Sequence, residues 1–281
     1  MINSLKKLIN KKNSKKKLFT PGPASLLAEN ISSLEPCFGR GDSEYQKMEN
    51  YVLEKLKKIT NHKYIARMQG AASFALEVMI NNFIYGKLLI IKTGTYSDRL
   101  FLMSKASKQN YGKIRKIDYL NHKDIDKISS KYDWVMGCPV ETSIGYKIPI
   151  SRLFKLKKRC KAKLALDATA SIGLEKGHGH ADILAYSSCK GLFGLTGGAF
   201  VAFNMTPENE INQFNLNIHN HIEKKMTGPY HAICSLYEVL KSYSDFKYAV
   251  TVNKKFFIKK MKDYLVYNVD EQPNLCTYIN A

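Results

Sequence analysis

Residues 186–200 read Tyr186-Ser187-Ser188-Cys189-Lys190-Gly191-Leu192-Phe193-Gly194-Leu195-Thr196-Gly197-Gly198-Ala199-Phe200. Two apolar runs, Ile183 to Tyr186 and Ala199 to Phe203, flank a lysine with small polar residues before it and a glycine-rich turn behind it. Short apolar runs bounded by turn residues read as buried strands. A lysine set between two of them differs from the solvated lysines elsewhere in the chain. It has the setting of an amine that forms a Schiff base from a desolvated site.

Upstream, Lys163-Leu164-Ala165-Leu166-Asp167-Ala168-Thr169-Ala170-Ser171 is another strand-like run, ending in a carboxylate and small hydroxyl residues. In an open α/β sheet, groups at the carboxyl ends of strands line the ligand crevice. Asp167 there either caps the following turn or faces a ligand. A carboxylate at that point can hold the protonated pyridine nitrogen of pyridoxal phosphate and keep the ring an electron sink.

Leu88 to Ile91 and Trp134 to Met136 are further strand-like runs. The first leads into Gly94-Thr95-Tyr96-Ser97-Asp98-Arg99, where Tyr96, on a loop at a strand end, can stack on a flat ring. The second leads into Glu141-Thr142-Ser143-Ile144-Gly145, where Thr142 brings a hydroxyl to the same crevice. Residues 43–59 read as an amphipathic helix with Met48, Val52, Leu56 and Ile59 on one face and Asp42 or Ser43 as cap. Gly70-Ala71-Ala72-Ser73 opens another helix, and small residues at a helix start let backbone N–H groups approach an anion. Strands alternating with helices predict an α/β fold with a mostly parallel sheet.

A chain of 281 residues allows one large domain with a small second one, or a single extended domain. No apolar run is long enough to span a bilayer. Residues 1–18 hold seven lysines without an apolar core, which reads as a flexible basic leader and not a secretory signal. Six cysteines, Cys37, Cys138, Cys160, Cys189, Cys234 and Cys276, form no close pairs, which predicts reduced thiols and a cytoplasmic setting. The net charge of +20 comes from scattered lysines such as Lys155, Lys157, Lys158 and Lys161 with no aromatic interleaving. That pattern argues against nucleic-acid binding but creates a field that attracts phosphate- or carboxylate-bearing ligands. His178 and His180, and His219, His221 and His231, lack acidic or cysteine partners at metal-ligand spacing, so no metal is expected.

Thr20-Pro21-Gly22-Pro23, the Gly70 to Glu77 helix entry, Gly94 to Arg99, Glu141 to Gly145, Asp167 to Ser171 and Ser187 to Lys190 occur in this order. As an ordered set they resemble the class V pyridoxal phosphate-dependent aminotransferases, in particular the 2-aminoethylphosphonate–pyruvate branch, with the alanine–glyoxylate and serine–glyoxylate enzymes as near relatives. The resemblance runs from about Phe19 to about Leu240. It implies a fold type I large domain over residues 19–245 with helices on both sheet faces, then a linker helix and the start of a small domain over 246–281. It implies pyridoxal phosphate as cofactor, with Lys190 forming the Schiff base and moving the substrate proton, and Asp167 on the pyridine nitrogen. Tyr96 would stack on the ring, Thr142 and Thr169 would line its edge and face, and Ala71, Ala72 and Ser73 would cup the phosphate. Thr227, in Met226-Thr227-Gly228-Pro229-Tyr230-His231, matches a threonine that reaches the neighbouring subunit's cofactor, so a homodimer is implied.

The reaction implied is transfer of an amino group from a small donor, 2-aminoethylphosphonate-like or an amino acid, to an oxo acid such as pyruvate. Alternatives are an alanine– or serine–glyoxylate enzyme, a lyase, or a cofactor-binding but catalytically impaired homologue. Two departures stand out. Ala71 replaces the usual serine, a loss of about 1 kcal/mol in phosphate binding. The family's substrate-gripping arginine belongs to a C-terminal small domain, and this chain ends at Ala281, so a truncated small domain is expected; neither Arg40 nor Arg99 matches that arginine.

Overall fold

The computed structural model describes residues 2–15, 20–32, 34, 39 and 41–280; Lys16, Lys17, Phe19, Cys37 and Arg40 lie outside them. The strands are β1 (Tyr64–Gln69), β2 (Gly86–Lys92), β3 (Ile114–Asn121), β4 (Trp134–Gly137), β5 (Val140–Glu141), β6 (Tyr146–Lys147), β7 (Lys163–Asp167), β8 (Ile183–Ser187) and β9 (Gly198–Phe203). The helices are α1 (Ile2–Ser14), α2 (Glu29–Ser32), α3 (Ser43–Thr60), α4 (Ala72–Phe83), α5 (Thr95–Tyr111), α6 (Ile150–Arg159), α7 (Ile218–Ile222), α8 (Tyr230–Val239) and α9 (Tyr243–Lys260).

A seven-stranded sheet runs in the order β1-β9-β8-β7-β4-β2-β3, and β5 pairs with β6 separately. Neighbours are parallel except around β9, which is antiparallel to both β1 and β8. Because successive strand residues face opposite sides, Leu89, Val135, Leu164, Leu184 and Phe200 pack with Val52, Leu56, Leu153 and Leu236 of α3, α6 and α8. Leu88, Trp134, Ala165, Ile183 and Val201 pack on the other side with Leu76, Met79 and Leu100 of α4 and α5. Each fully buried large aliphatic or aromatic side chain contributes about 1.5–3 kcal/mol. The result is the three-layered α/β architecture expected, with helices on both faces of a mostly parallel sheet.

The interior strands match the apolar runs of the sequence to within two residues. The two strands that lacked a signal, β1 and β3, are the sheet's edges. There the pattern is broken by Arg67 in one and by Arg115, Lys116 and Asp118 in the other. Asp42 caps α3, accepting the Glu44 N–H at 2.8 Å. The helix's buried stripe is Tyr45, Glu49, Val52, Leu56 and Thr60, one residue round from the expected face at its start. The basic leader, expected to be flexible, is helical over Ile2–Ser14. Ile9 is buried, Lys6 pairs with Glu29 at 3.0 Å, and Asn13 Nδ2 donates to Leu26 O at 3.0 Å.

Beneath α3 lies a buried ionic cluster. Glu49, 1% exposed, accepts from Arg67 Nε of β1 at 2.7 Å, from Lys224 Nζ and from the Tyr45 hydroxyl at 3.3 Å. Arg67 in turn supports the loop before α8, since a Cβ on Gly228 would stand 2.8 Å from its Cζ. Burial pushes the Glu49 carboxyl up, but the bonds and charges of Lys224 and Arg67 more than offset this and its pKa lies below the ordinary value. A carboxyl lowered on folding stabilises the native state above its unfolded pKa, and the contribution is lost as pH falls through the folded value. Replacing Glu49 by glutamine, which leaves Arg67 buried without its counter-charge, is therefore expected to cost about 3 kcal/mol at pH 7. Urea unfolding of both proteins should show the gap at pH 7 and its decline once pH drops below the carboxyl's ordinary 4.5.

Candidate active site

From β2 the chain runs outward to the edge strand β3 and then returns to lay β4 on the other side of β2. That reversal opens a crevice at the carboxyl ends of β2 and β4. The loops after β1, β2, β4, β7 and β8 all leave from this end of the sheet, because those five strands run parallel.

Lys190 follows β8 in a turn closed by Phe193 N–H to Lys190 O and Gly194 N–H to Ser188 O, both at 2.9 Å. Ser188 Oγ fastens the base of that turn to Leu195 O. Gly191 is packed so tightly that a Cβ would stand 2.1 Å from Ile172 O. Gly22, at φ +147°, passes directly over the lysine's stem, where a Cβ would stand 3.1 Å from Lys190 Cγ, and Ala24 N–H donates to Cys189 O at 2.8 Å. The half-buried Lys190 carries its Nζ to 5.5 Å from the centre of the Tyr96 ring.

Tyr96 lies in the first turn of α5 and not, as the sequence suggested, in a loop. Gly94 caps that helix without a side chain, and Glu141 takes over the task. Its fully buried carboxylate accepts from the Tyr96 N–H at 3.1 Å, the Ser97 N–H at 3.3 Å, Thr93 Oγ1 at 3.3 Å and Ser143 Oγ at 2.6 Å. A carboxylate on the first amides of a helix is favoured by its dipole. Glu141 thereby fixes the Tyr96 ring to the loop that carries Thr142. Sequence reasoning gave it no role, since the helix amides that donate to it lie some 45 residues away in the chain.

Asp167 ends β7 and is 2% exposed. Its Oδ1 accepts both the Thr169 N–H, at 3.0 Å, and the Thr169 hydroxyl. Among the described residues, its Oδ2 has only the Arg99 guanidinium, at 3.9 Å. Burial pushes the Asp167 carboxyl above the ordinary carboxylate range, opposed by the Thr169 bonds and by the charges of Arg99 and Lys190. The Arg99 Cζ lies 4.9 Å from the Tyr96 ring centre, one helical turn along α5. This second cation was visible in the sequence as an i, i+3 pair with Tyr96.

Ala71 is the N-cap of α4, and no side chain caps this helix. Ala72 and Ser73 form its first turn, with their amides among those that have no partner within the helix. Gly70 N–H donates to Gly197 O at 2.9 Å, which ties this entry to the Lys190 turn. Thr227 is exposed on the loop between α7 and α8, and none of the contacts above includes it. His178 pairs with Ser171 Oγ at 3.0 Å and His221 with Asn215 O at 2.8 Å. Among the described residues, Cys138, Cys160, Cys189 and Cys276 are free thiols, and no helix is long and apolar enough to cross a membrane.

The residues fit pyridoxal phosphate on three counts. Asp167 is a desolvated carboxyl with one oxygen short of a close donor. Thr142 Oγ1 is buried with no hydrogen-bond partner among the described residues. The uncapped α4 start offers amides to a phosphate.

No family model matches the chain. It is 25% identical over 254 residues to a 2-aminoethylphosphonate–pyruvate transaminase of Pseudomonas putida W619, covering 81% of this chain and 68% of that protein. Against the protein of the same name from Pseudomonas aeruginosa PAO1 it is 24% identical with the same coverage. Its fold matches that of an alanine–glyoxylate aminotransferase of a Nostoc species with a TM-score of 0.76 at 14% identity, over 94% of this chain and 81% of that one. It matches pyridoxamine–pyruvate aminotransferase of Mesorhizobium loti with a TM-score of 0.76 at 18% identity, over 91% and 74%. In sequence the chain is thus similar to the 2-aminoethylphosphonate–pyruvate transaminases, and its fold is that of the pyridoxal phosphate-dependent aminotransferases.

Proposed function

We propose that this protein transfers an amino group from a small donor, a 2-aminoethylphosphonate-like compound or an amino acid, to an oxo acid such as pyruvate, with Lys190 as the reactive amine. The observation that carries the reading is the convergence of Lys190 Nζ, the Tyr96 ring and the desolvated Asp167 carboxyl in one crevice. The named relatives favour the phosphonate donor.

When bound, pyridoxal phosphate supplies a reactive carbonyl and an electron-withdrawing pyridinium ring. Asp167 Oδ2 would accept the ring N–H, and burial would strengthen that attraction because little water competes. The two bonds from Thr169 hold the carboxyl in place. Tyr96 would form the platform for the ring, with Thr142 and Thr169 to flank it. Ala71, Ala72 and Ser73 would bind the phosphate through amides, with the Ser73 hydroxyl as the side-chain donor. Lys190 Nζ would be the amine that holds the cofactor and, when neutral, the base that takes the proton from the donor's carbon. Exposed Thr227 suits a contact with a second subunit's phosphate, which makes the working unit a homodimer. The free thiols of Cys138, Cys160, Cys189 and Cys276 support a reducing, cytoplasmic setting.

Borohydride treatment of the cofactor-loaded protein is expected to leave a pyridoxyl group on the peptide containing Lys190, seen by mass spectrometry. Lys190→Ala should give no such peptide and lose about 10³-fold or more in amino transfer. An unlabelled wild-type protein would sink the reading. Gly191→Ala tests the turn separately: its methyl meets the Ile172 carbonyl, so the turn must shift at a cost of about 1–3 kcal/mol. Thermal unfolding should register that loss, and the yield of labelled Lys190 peptide should fall with it.

A further inference from the structure

We propose that Lys254 of α9 binds the acidic group of the substrate, making the protein selective for small carboxylates or phosphonates. The proposal rests on the reading of Lys190 as the reactive amine and adds the group that holds the substrate beside it.

The turn of Lys190 and the helix of Lys254 are joined. Tyr243 Oη, at the start of α9, donates to Gly191 O at 3.1 Å, and Phe193 packs against Tyr243 and Phe246. The segment after α9 then folds back over this end of the sheet. Asn274 N–H donates to Glu175 Oε1 at 2.7 Å, Asn274 Nδ2 to Leu174 O at 2.9 Å, and Ile279 bridges to Leu265. Tyr278 lies against Gly145, where a Cβ would stand 2.8 Å from its own, so this segment reaches the loop that carries Thr142. Between α9, the returning segment and the Lys190 turn is an open cleft of about 360 Å³, lined by Lys190, Lys254, Phe193, Phe257, Asn274 and Cys276. That volume suits a small molecule.

A lysine on an outer helix normally extends its stem to put the ammonium in water. Tyr248 and Phe256 of α9 are exposed, whereas Lys254 is 9% exposed. Its Nζ donates to Cys276 O at 2.7 Å and to Thr277 Oγ1, both neutral acceptors. An ammonium has three N–H bonds, so one is left over. No carboxylate lies within ion-pair distance of it among the described residues. Glu175, the acid whose charge it feels, is already held by Lys147 at 3.4 Å and by the Asn274 amide. Burial lowers the Lys254 pKa to about 8, opposed by Cys276 and Glu175 and assisted by Lys147. A buried ammonium without a counter-ion is costly, and an entering anion relieves that cost. A compact point charge also suits a phosphonate as well as a carboxylate.

The other role open to Lys254 is structural, fastening residues 276 and 277 to α9, and affinity for a non-reacting anion separates the two. Methylphosphonate and propionate, which carry no amine, are titrated calorimetrically into the cofactor-loaded wild-type protein and into Lys254→Met and Lys254→Arg. Lys254→Met is expected to weaken methylphosphonate binding about tenfold or more, and Lys254→Arg to retain it within about threefold. Thr277→Val, which loosens the fastening but keeps the charge, should bind within about threefold of wild type. Equal affinity in wild type and Lys254→Met, no binding to wild type, or a loss in Thr277→Val as large as in Lys254→Met would each overturn the proposal. Visible absorbance of the same samples reports cofactor loading. A wild-type protein that never loads refutes the aminotransferase reading, while the titration of the full chain still decides the role of Lys254.

Discussion

At the end of β7 a carboxyl group sits 2% exposed, and the rest of the site is arranged around that fact. An ion removed from water to this degree costs several kcal/mol unless charge or hydrogen bonds compensate it. Asp167 is compensated on one oxygen by Thr169 and only distantly on the other by Arg99. Glu141 supplies the contrast. It is equally buried, yet four residues donate to it, and its role is complete without a ligand. Glu49 is likewise closed by Arg67, Lys224 and Tyr45. Among the buried charges, then, the degree of satisfaction separates acids that hold the fold from the acid that awaits a partner.

The same criterion picks out Lys254 among the cations. Lys147 and Lys224 meet carboxylates, whereas Lys254 meets a carbonyl and a hydroxyl. Asp167 and Lys254 leave complementary demands open at the same end of the sheet, one for a cation and one for an anion. On the proposed function the pyridinium ring would meet the demand of Asp167 and the donor's acidic group that of Lys254, whereas a donor without an acidic group would leave Lys254 unmet.

Legibility in the sequence followed the same physics. Strands buried on both faces must be apolar throughout, so β2, β4, β7, β8 and β9 stood out. Edge strands need not be, and Arg67, Lys116 and Asp118 hid β1 and β3. Lys190 and Asp167 were legible because a charged residue directly after an apolar strand is unusual and its place in an α/β sheet has a meaning. Tyr96 was located correctly but given the wrong local structure, since the side chain that caps its helix comes from Glu141 on another strand's loop. Lys254 had no local signal at all. It stands in Asn253-Lys254-Lys255 on a lysine-rich helix, and only the return of residues 274–280 across α9 takes it out of water.

That limit bears on the most conspicuous number in the composition, the net charge of +20. At physiological ionic strength exposed charges are screened over about 8 Å, so most surface lysines raise the local concentration of anions without choosing among them. Screening weakens where side chains are drawn out of water. Lys254 is buried and Lys190 half-buried along one cleft, and Arg99 lies over the Tyr96 ring beside the buried Asp167. On the proposed function and the proposed role of Lys254, selectivity for an anionic cofactor and an acidic substrate rests on these few cations. Neutralising an equal number on the surface would lower the encounter rate and leave the identity of the bound molecule unchanged.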